Sequence, residues 1–193
     1  MANIALIQGH PDTSDSRFCR ALAKAYGEGA RSAGHEVREI DVARLDFPLI
    51  RSEADFVDKD LPPDIKTAQD TISWATHLVV IYPLWLGTMP ALLKGAFEQI
   101  FRYGFGISKP GAGKMERLLK GRSARIVVTM GMPAFIYRWI FRAHSLKSLE
   151  RNIFWLCGIG PIRETLIGMI DTKSDAKRAA LLARMRKLGA KAR

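Results

Sequence analysis

Only two cysteines occur in 193 residues, Cys19 and Cys157, and neither their number nor their spacing suggests a disulfide framework or a metal site. Reduced thiols and a cytoplasmic setting are expected. The four histidines, His10, His35, His77 and His144, have no metal-ligand spacing among themselves or with the cysteines, so no metal is expected. No apolar stretch approaches the ~20 residues that span a bilayer, and Ile4 to Ile7 is too short for a signal peptide. No serine or cysteine lies in a Gly-x-Ser-x-Gly setting, which leaves nucleophilic hydrolysis without a signature. The GxGxxG fingerprint of the usual dinucleotide fold is missing too. Gly111-Ala112-Gly113-Lys114 fails as a phosphate loop, because Ser108 stands where glycine is needed and Met115 where Ser or Thr is needed.

Acidic residues are in short supply, 19 against 30 Lys and Arg, which gives a net charge of +11. The excess is concentrated. Residues 173–193 hold eight Lys and Arg against Asp175, and residues 102–125 hold seven against Glu116; the remainder is slightly acidic. Leu181, Met185 and Leu188 recur at helical spacing, so about 173–191 reads as a basic C-terminal helix. Such a helix could meet nucleic acid or an anionic membrane surface, but no nucleic-acid motif accompanies it and none is expected as a partner. A solvated helix face is the plainer reading, and attraction of a phosphorylated cofactor such as NADPH is a third.

The length suits one domain over residues 1–193, and the order of patterns alternates strand and helix. Strands are expected at Asn3–Gln8, Glu36–Asp41, His77–Tyr82, Arg125–Thr129 and Ile162–Ile170. Helices are expected at Ser16–Ala33, Ile65–Ala75, Pro90–Phe101 and Leu146–Leu156. An irregular crossover fills Arg44 to Pro63, and a Gly-rich loop Tyr103 to Gly113. This alternation predicts an α/β doubly wound parallel sheet of five strands with helices on both faces.

Three strand-end loops then fall on one sheet edge, where ligands of open α/β sheets bind. In Tyr82-Pro83-Leu84-Trp85-Leu86-Gly87-Thr88-Met89-Pro90, Pro83 stops a β-branched strand, and Pro90 suits the first turn of the next helix with Thr88 as a possible cap. A flat apolar ligand could lie on this loop; a packed connection is the alternative. In Gly9-His10-Pro11-Asp12-Thr13-Ser14-Asp15-Ser16-Arg17-Phe18-Cys19, a hydroxyl-rich turn opens a helix whose free amides favour a phosphate. Alone, Ser14 or Ser16 is more often just a helix cap. In Thr129-Met130-Gly131-Met132-Pro133, Gly131 would let amides approach a ring, and Tyr137 and His144 beyond it can offer protons. Each also has a plainer reading: Tyr137 as a core aromatic, His144 as a surface or capping residue.

Together these loops resemble the flavodoxin-like NAD(P)H:quinone oxidoreductase family, with its quinone reductases, nitro- and azo-compound reductases and potassium-efflux ancillary subunits. The resemblance covers most of the chain, and Cys157-Gly158 with the following strand also follows the pattern. It implies flavin contacts at His10, Ser16, Phe18, Cys19, Pro83, Leu84, Trp85, Leu86, Thr129, Met130 and Gly131, and catalytic roles for Tyr137 and His144. It implies FMN, with FAD as the alternative, NAD(P)H as co-substrate, ping-pong reduction of a quinone-like acceptor, and a homodimer. The rival function is a regulatory subunit that binds a membrane transporter or anionic surface through the basic helix. Three departures stand out: Met130 and Met132 replace the glycines common in that loop, His144 falls one residue from the family's histidine, and the segment after Tyr103 is unusually basic.

Overall fold

The computed structural model describes residues 1–57, 60–109 and 114–193; the end of the expected Gly-rich loop, 110–113, and 58–59 of the crossover lie outside the described residues. In chain order the elements are β1 (Asn3–Gln8), α1 (Phe18–Ser32), β2 (Glu36–Asp41), a 3-10 turn (Val42–Arg44), α2 (Glu53–Val57), α3 (Pro63–Trp74) and β3 (His77–Pro83). They continue with α4 (Ala91–Ile100), β4 (Ser123–Thr129), α5 (Ala134–Trp139), α6 (His144–Ser148), a π-helical segment (Leu149–Trp155), β5 (Ile162–Ile167) and α7 (Asp175–Ala190). The five strands form one sheet in the order β2-β1-β3-β4-β5, and every pairing is parallel.

The β-branched runs explain this sheet. Every residue of β3 is buried, because helices cover both faces and alternate side chains serve two separate cores. Ala5, Ile7, Leu78, Val80, Tyr82, Ile126 and Val128 face the side covered by α3 and α4. Ile4, Leu6, Val79, Ile81, Val127 and Ile167 face α1 and α7. The two helices on that side touch backbone to backbone. A Cβ at Gly29 would come 2.1 Å from the Arg186 carbonyl oxygen, and one at Gly189 2.0 Å from that of Tyr26. This contact buries Met185 and half-buries Leu181, Leu182 and Leu188, so the apolar stripe of the basic helix is spent on the core. Removing residues 173–193 would therefore strip that core as well as any docking surface.

The expected boundaries shift for local reasons. α1 begins at Phe18 because Ser14 and Ser16 lie in a turn, where Arg17 N–H donates to the Ser14 carbonyl. Thr88 does not cap α4; its amide and carbonyl both bond Trp85. β5 ends at Ile167, and Met130 N–H takes the Ile167 carbonyl as the chain leaves the sheet. The helix expected from Leu146 starts at His144 and widens into the π-helical segment, and α5, α2 and the 3-10 turn fill stretches with no clear period.

His77 opens β3 with its Nδ1 2.8 Å from Ser123 Oγ. Burial, reinforced by Arg125 and Arg163, pushes its pKa down to about 4. The folded chain therefore keeps His77 neutral where the unfolded chain takes up a proton, and stability falls as pH drops from 6.5 towards 4. The loss should approach about 3 kcal/mol. Urea unfolding of the protein and of His77→Leu across that range checks this; the variant should show the flatter profile.

Candidate functional site

At the carboxyl edge of β1, β3 and β4 lies a cleft of about 400 Å³, lined by His10, Ser16, Arg17, Phe18, Cys19, Pro83, Leu84, Trp85, Thr129, Met130, Gly131, Ile170, Asp171 and Arg178. Ten of the eleven residues expected to touch flavin are in that set. The exception is Leu86, whose side chain is fully exposed. Leu86 and Gly87 are the two positive-φ residues of a tight turn closed by paired Trp85 and Thr88 backbone bonds, so Leu86 is held in a left-handed conformation that costs on the order of 1 kcal/mol.

Each wall is fixed separately. Gly9 lets the first loop cross the sheet edge, since a Cβ there would meet Leu93 Cδ2 at 2.7 Å and Tyr82 Cβ at 2.9 Å. Beyond it, buried Arg20 donates to the Asp12 carbonyl and forks onto both oxygens of Asp41 at 2.8 and 3.0 Å. Burial alone would raise the Asp41 carboxyl, but this fork overrides it and holds the group below its ordinary range. His10 Nδ1 accepts from Asp12 N–H, which leaves Nε2 to carry the proton of the neutral ring. Burial, then the charge of Arg17, lowers the His10 pKa, and its ring stands edge-on to Trp85 at 5.8 Å. Cys19 Sγ lies 3.1 Å from Thr129 Oγ1, joining α1 to the end of β4, and burial pushes its thiol up to about 11. It is a packing thiol rather than a nucleophile.

The floor near α1 suits an anion. No side chain caps this 15-residue helix and its first turn holds no acid. The first amides, those of Phe18 and Cys19, therefore face the cleft without helical partners. Arg178 of α7 lies over the Phe18 ring at 5.4 Å, with Nε and Nη2 held by the Lys173 and Ile170 carbonyls. Opposite, the Met130 amide is used by Ile167, whereas the Gly131 amide has no acceptor among the described residues. A group with one flat apolar end and one phosphate fits these walls. No group of three or more His, Cys, Asp or Glu able to hold a metal occurs among the described residues.

Tyr137 and His144 are not brought to this cleft. Tyr137 is buried, with its hydroxyl 2.7 Å from Ser145 Oγ and accepting from Leu146 N–H, while His144 is exposed at the start of α6. Conversely, Arg17, Ile170, Asp171 and Arg178 line the cleft and were not singled out. Arg17 adjoins Ser16 in the first loop; Ile170 and Asp171 fall at the end of a stretch that patterns as strand but lie past the end of β5, and Arg178 reads in the sequence only as helix charge.

The flavodoxin-like fold family matches residues 2–189, and an NAD(P)H oxidoreductase of Haemophilus influenzae is 29% identical over 184 residues, covering 93% of this chain and 90% of the relative. The chain belongs to the flavodoxin-like NAD(P)H:quinone oxidoreductase family. Within it, an FMN-dependent NADH:quinone oxidoreductase of Gluconobacter oxydans is 26% identical over 188 residues, covering 89% of this chain and 90% of that one. The solved structure of Smu.1420 from Streptococcus mutans UA159 superposes with a TM-score of 0.81 at 28% identity, over 97% and 98% of the two chains. The chain spans 57% and 55% of two ribosyldihydronicotinamide dehydrogenase relatives it matches, from Penicillium crustosum and Mus musculus.

The buried bonds of Tyr137 make a structural role measurable. Tyr137→Phe should lower unfolding free energy by about 1 kcal/mol, read by urea titration, because the Leu146 amide and Ser145 hydroxyl lose their partner. A fall in turnover with unchanged stability would instead assign the phenol to the reaction.

Proposed function

We propose that this protein is a flavin-dependent NAD(P)H oxidoreductase that reduces quinones or similar acceptors, with FMN as its cofactor. One observation carries the reading: the three strand-end loops meet in a single cleft that joins an apolar wall at Pro83, Leu84 and Trp85 to the uncapped start of α1. The FMN-dependent Gluconobacter relative supports the choice of cofactor. When bound, the flavin supplies two-electron hydride chemistry between a reduced nicotinamide and the acceptor.

The chain's own residues bind and orient. The amides of Phe18 and Cys19, with Ser16 and the cations of Arg17 and Arg178, hold the phosphate. Trp85 provides a face for the ring system, and the free Gly131 amide stabilises negative charge at its polar edge. His10, kept neutral, donates from Nε2 without adding charge to the apolar wall. Leu86 contributes backbone at the rim rather than its side chain. Because one cleft serves both substrates, they use it in turn, which is the ping-pong cycle. Phe135, Trp139, Ile140 and Phe141 form an exposed apolar patch beginning four residues past Gly131, and we assign it to a homodimer contact that sedimentation of the purified protein would reveal.

The purified protein should be yellow and release FMN on denaturation, as chromatography reads directly; release of FAD would reassign the cofactor, and failure to bind either flavin would refute the function. Trp85→Ala should weaken FMN binding about fivefold. Initial rates with nicotinamide and quinone both varied should give parallel double-reciprocal lines, and intersecting lines would exclude alternation in one cleft.

A further inference from the structure

One concentration of positive charge is not used by the cleft. On the α1 and α7 side of the sheet, Arg125 of β4 and Arg163 of β5 are register partners. Arg184 of α7 lies within electrostatic reach of the Arg125 guanidinium. Arg125 is 6% exposed and donates through Nη1 to Thr165 Oγ1 at 2.7 Å, yet its Nε has no acceptor. The Tyr26 hydroxyl, fully buried and within electrostatic reach of the same guanidinium, has no partner either. Nor does His77 Nε2, on the neighbouring strand. Among the described residues, no carboxylate pairs with Arg125, Arg163 or Arg184.

This arrangement is expensive by itself. A buried charge normally has a counter-charge, and here the charged groups within electrostatic reach are two more guanidiniums. Buried donors left without acceptors mark places where an ion or water completes the structure. Elsewhere in the same molecule the buried cation Arg20 is answered by Asp41, whereas buried Arg102 donates to Gln99 Oε1 and leaves Nε and Nη1 without acceptors.

We propose that Arg125, Arg163 and Arg184 form a binding site for a small phosphate-type oxyanion, inorganic phosphate or a phosphomonoester, on the α1 and α7 side of the sheet. The guanidinium fork suits a tetrahedral oxyanion, which can accept several donors at once. Arg163 and Arg184 are exposed, while Arg125 is buried. That depth excludes a flat membrane surface or a polymer backbone, neither of which reaches a side chain held beneath a helix. The site is separate from the cleft: Arg125 lies four residue steps before Thr129 on β4, about 13 Å along the strand. It does not depend on the oxidoreductase reading.

The test is a titration of protein labelled with ¹⁵N-arginine, with FMN added first to fill the cleft. The Arg125 Nε–Hε resonance is identified by its loss in Arg125→Met and followed as inorganic phosphate or glycerol phosphate is added. A saturable shift is expected, with affinity weakened about tenfold or more in Arg163→Gln, an exposed position that leaves the core intact. Tighter saturation by phosphate identifies the free anion, and tighter saturation by glycerol phosphate the ester. Arg125→Met should keep or gain thermal stability while losing phosphate-induced stabilisation. The proposal is overturned if the Arg125 signal stays still at millimolar anion, or if Arg163→Gln binds as tightly as the unaltered chain. Because the signal belongs to Arg125 alone, failure of FMN to bind would count against the oxidoreductase function and leave this outcome readable.

Discussion

Three backbone hydrogen bonds extend the parallel ladder to the loops leaving its strands, and the cleft depends on them. Gly9 N–H donates to Ile81 at 2.8 Å, Leu84 N–H to Thr129 at 2.7 Å, and Met130 N–H to Ile167 at 2.9 Å. Each loop is thus held by the neighbouring strand before it turns away. Because parallel bonds are evenly spaced, the loops leave the sheet at one level and their side chains face one space. The apolar wall, the uncapped helix and the free Gly131 amide are brought together by this shared height.

The parts of the molecule visible in the sequence are those set by short-range pattern. β3 could be read because Leu78, Val79, Val80 and Ile81 form an unbroken apolar run within its seven buried residues. The strand-end loops could be read because Pro83, Gly9 and Gly131 punctuate such runs. What stayed hidden was set by distance. Arg178 reaches the cleft only because Gly29 and Gly189 let α7 lie against α1, a contact between residues 160 apart in sequence. Tyr137 could be offered as a proton donor on position alone; its burial against Ser145 and Leu146 follows from how α5 and α6 fold back. The short α5 lacked length for a helical period to show.

The uneven charge has more than one structural setting. At the cleft, Arg17, paired with Asp12, and Arg178 stand beside unpaired amides, with Asp171 also in the lining. At Arg20 the charge is neutralised by Asp41 and serves as a rivet for the first loop. At Arg125 it is buried without an answer. A net charge of +11 is therefore not one property with one partner, and the basic helix belongs to the core as much as to the surface.

The position of Arg178 also sets an order of events during synthesis. Ile170, Asp171 and Arg178 follow all five strands in the chain, and α7 cannot dock until its residues clear the ribosome. A nascent chain can complete its sheet while the cleft still lacks one wall and the second core lacks its lid. The lining supplied by Ile170, Asp171 and Arg178 is consequently completed last, only in a chain already translated through α7.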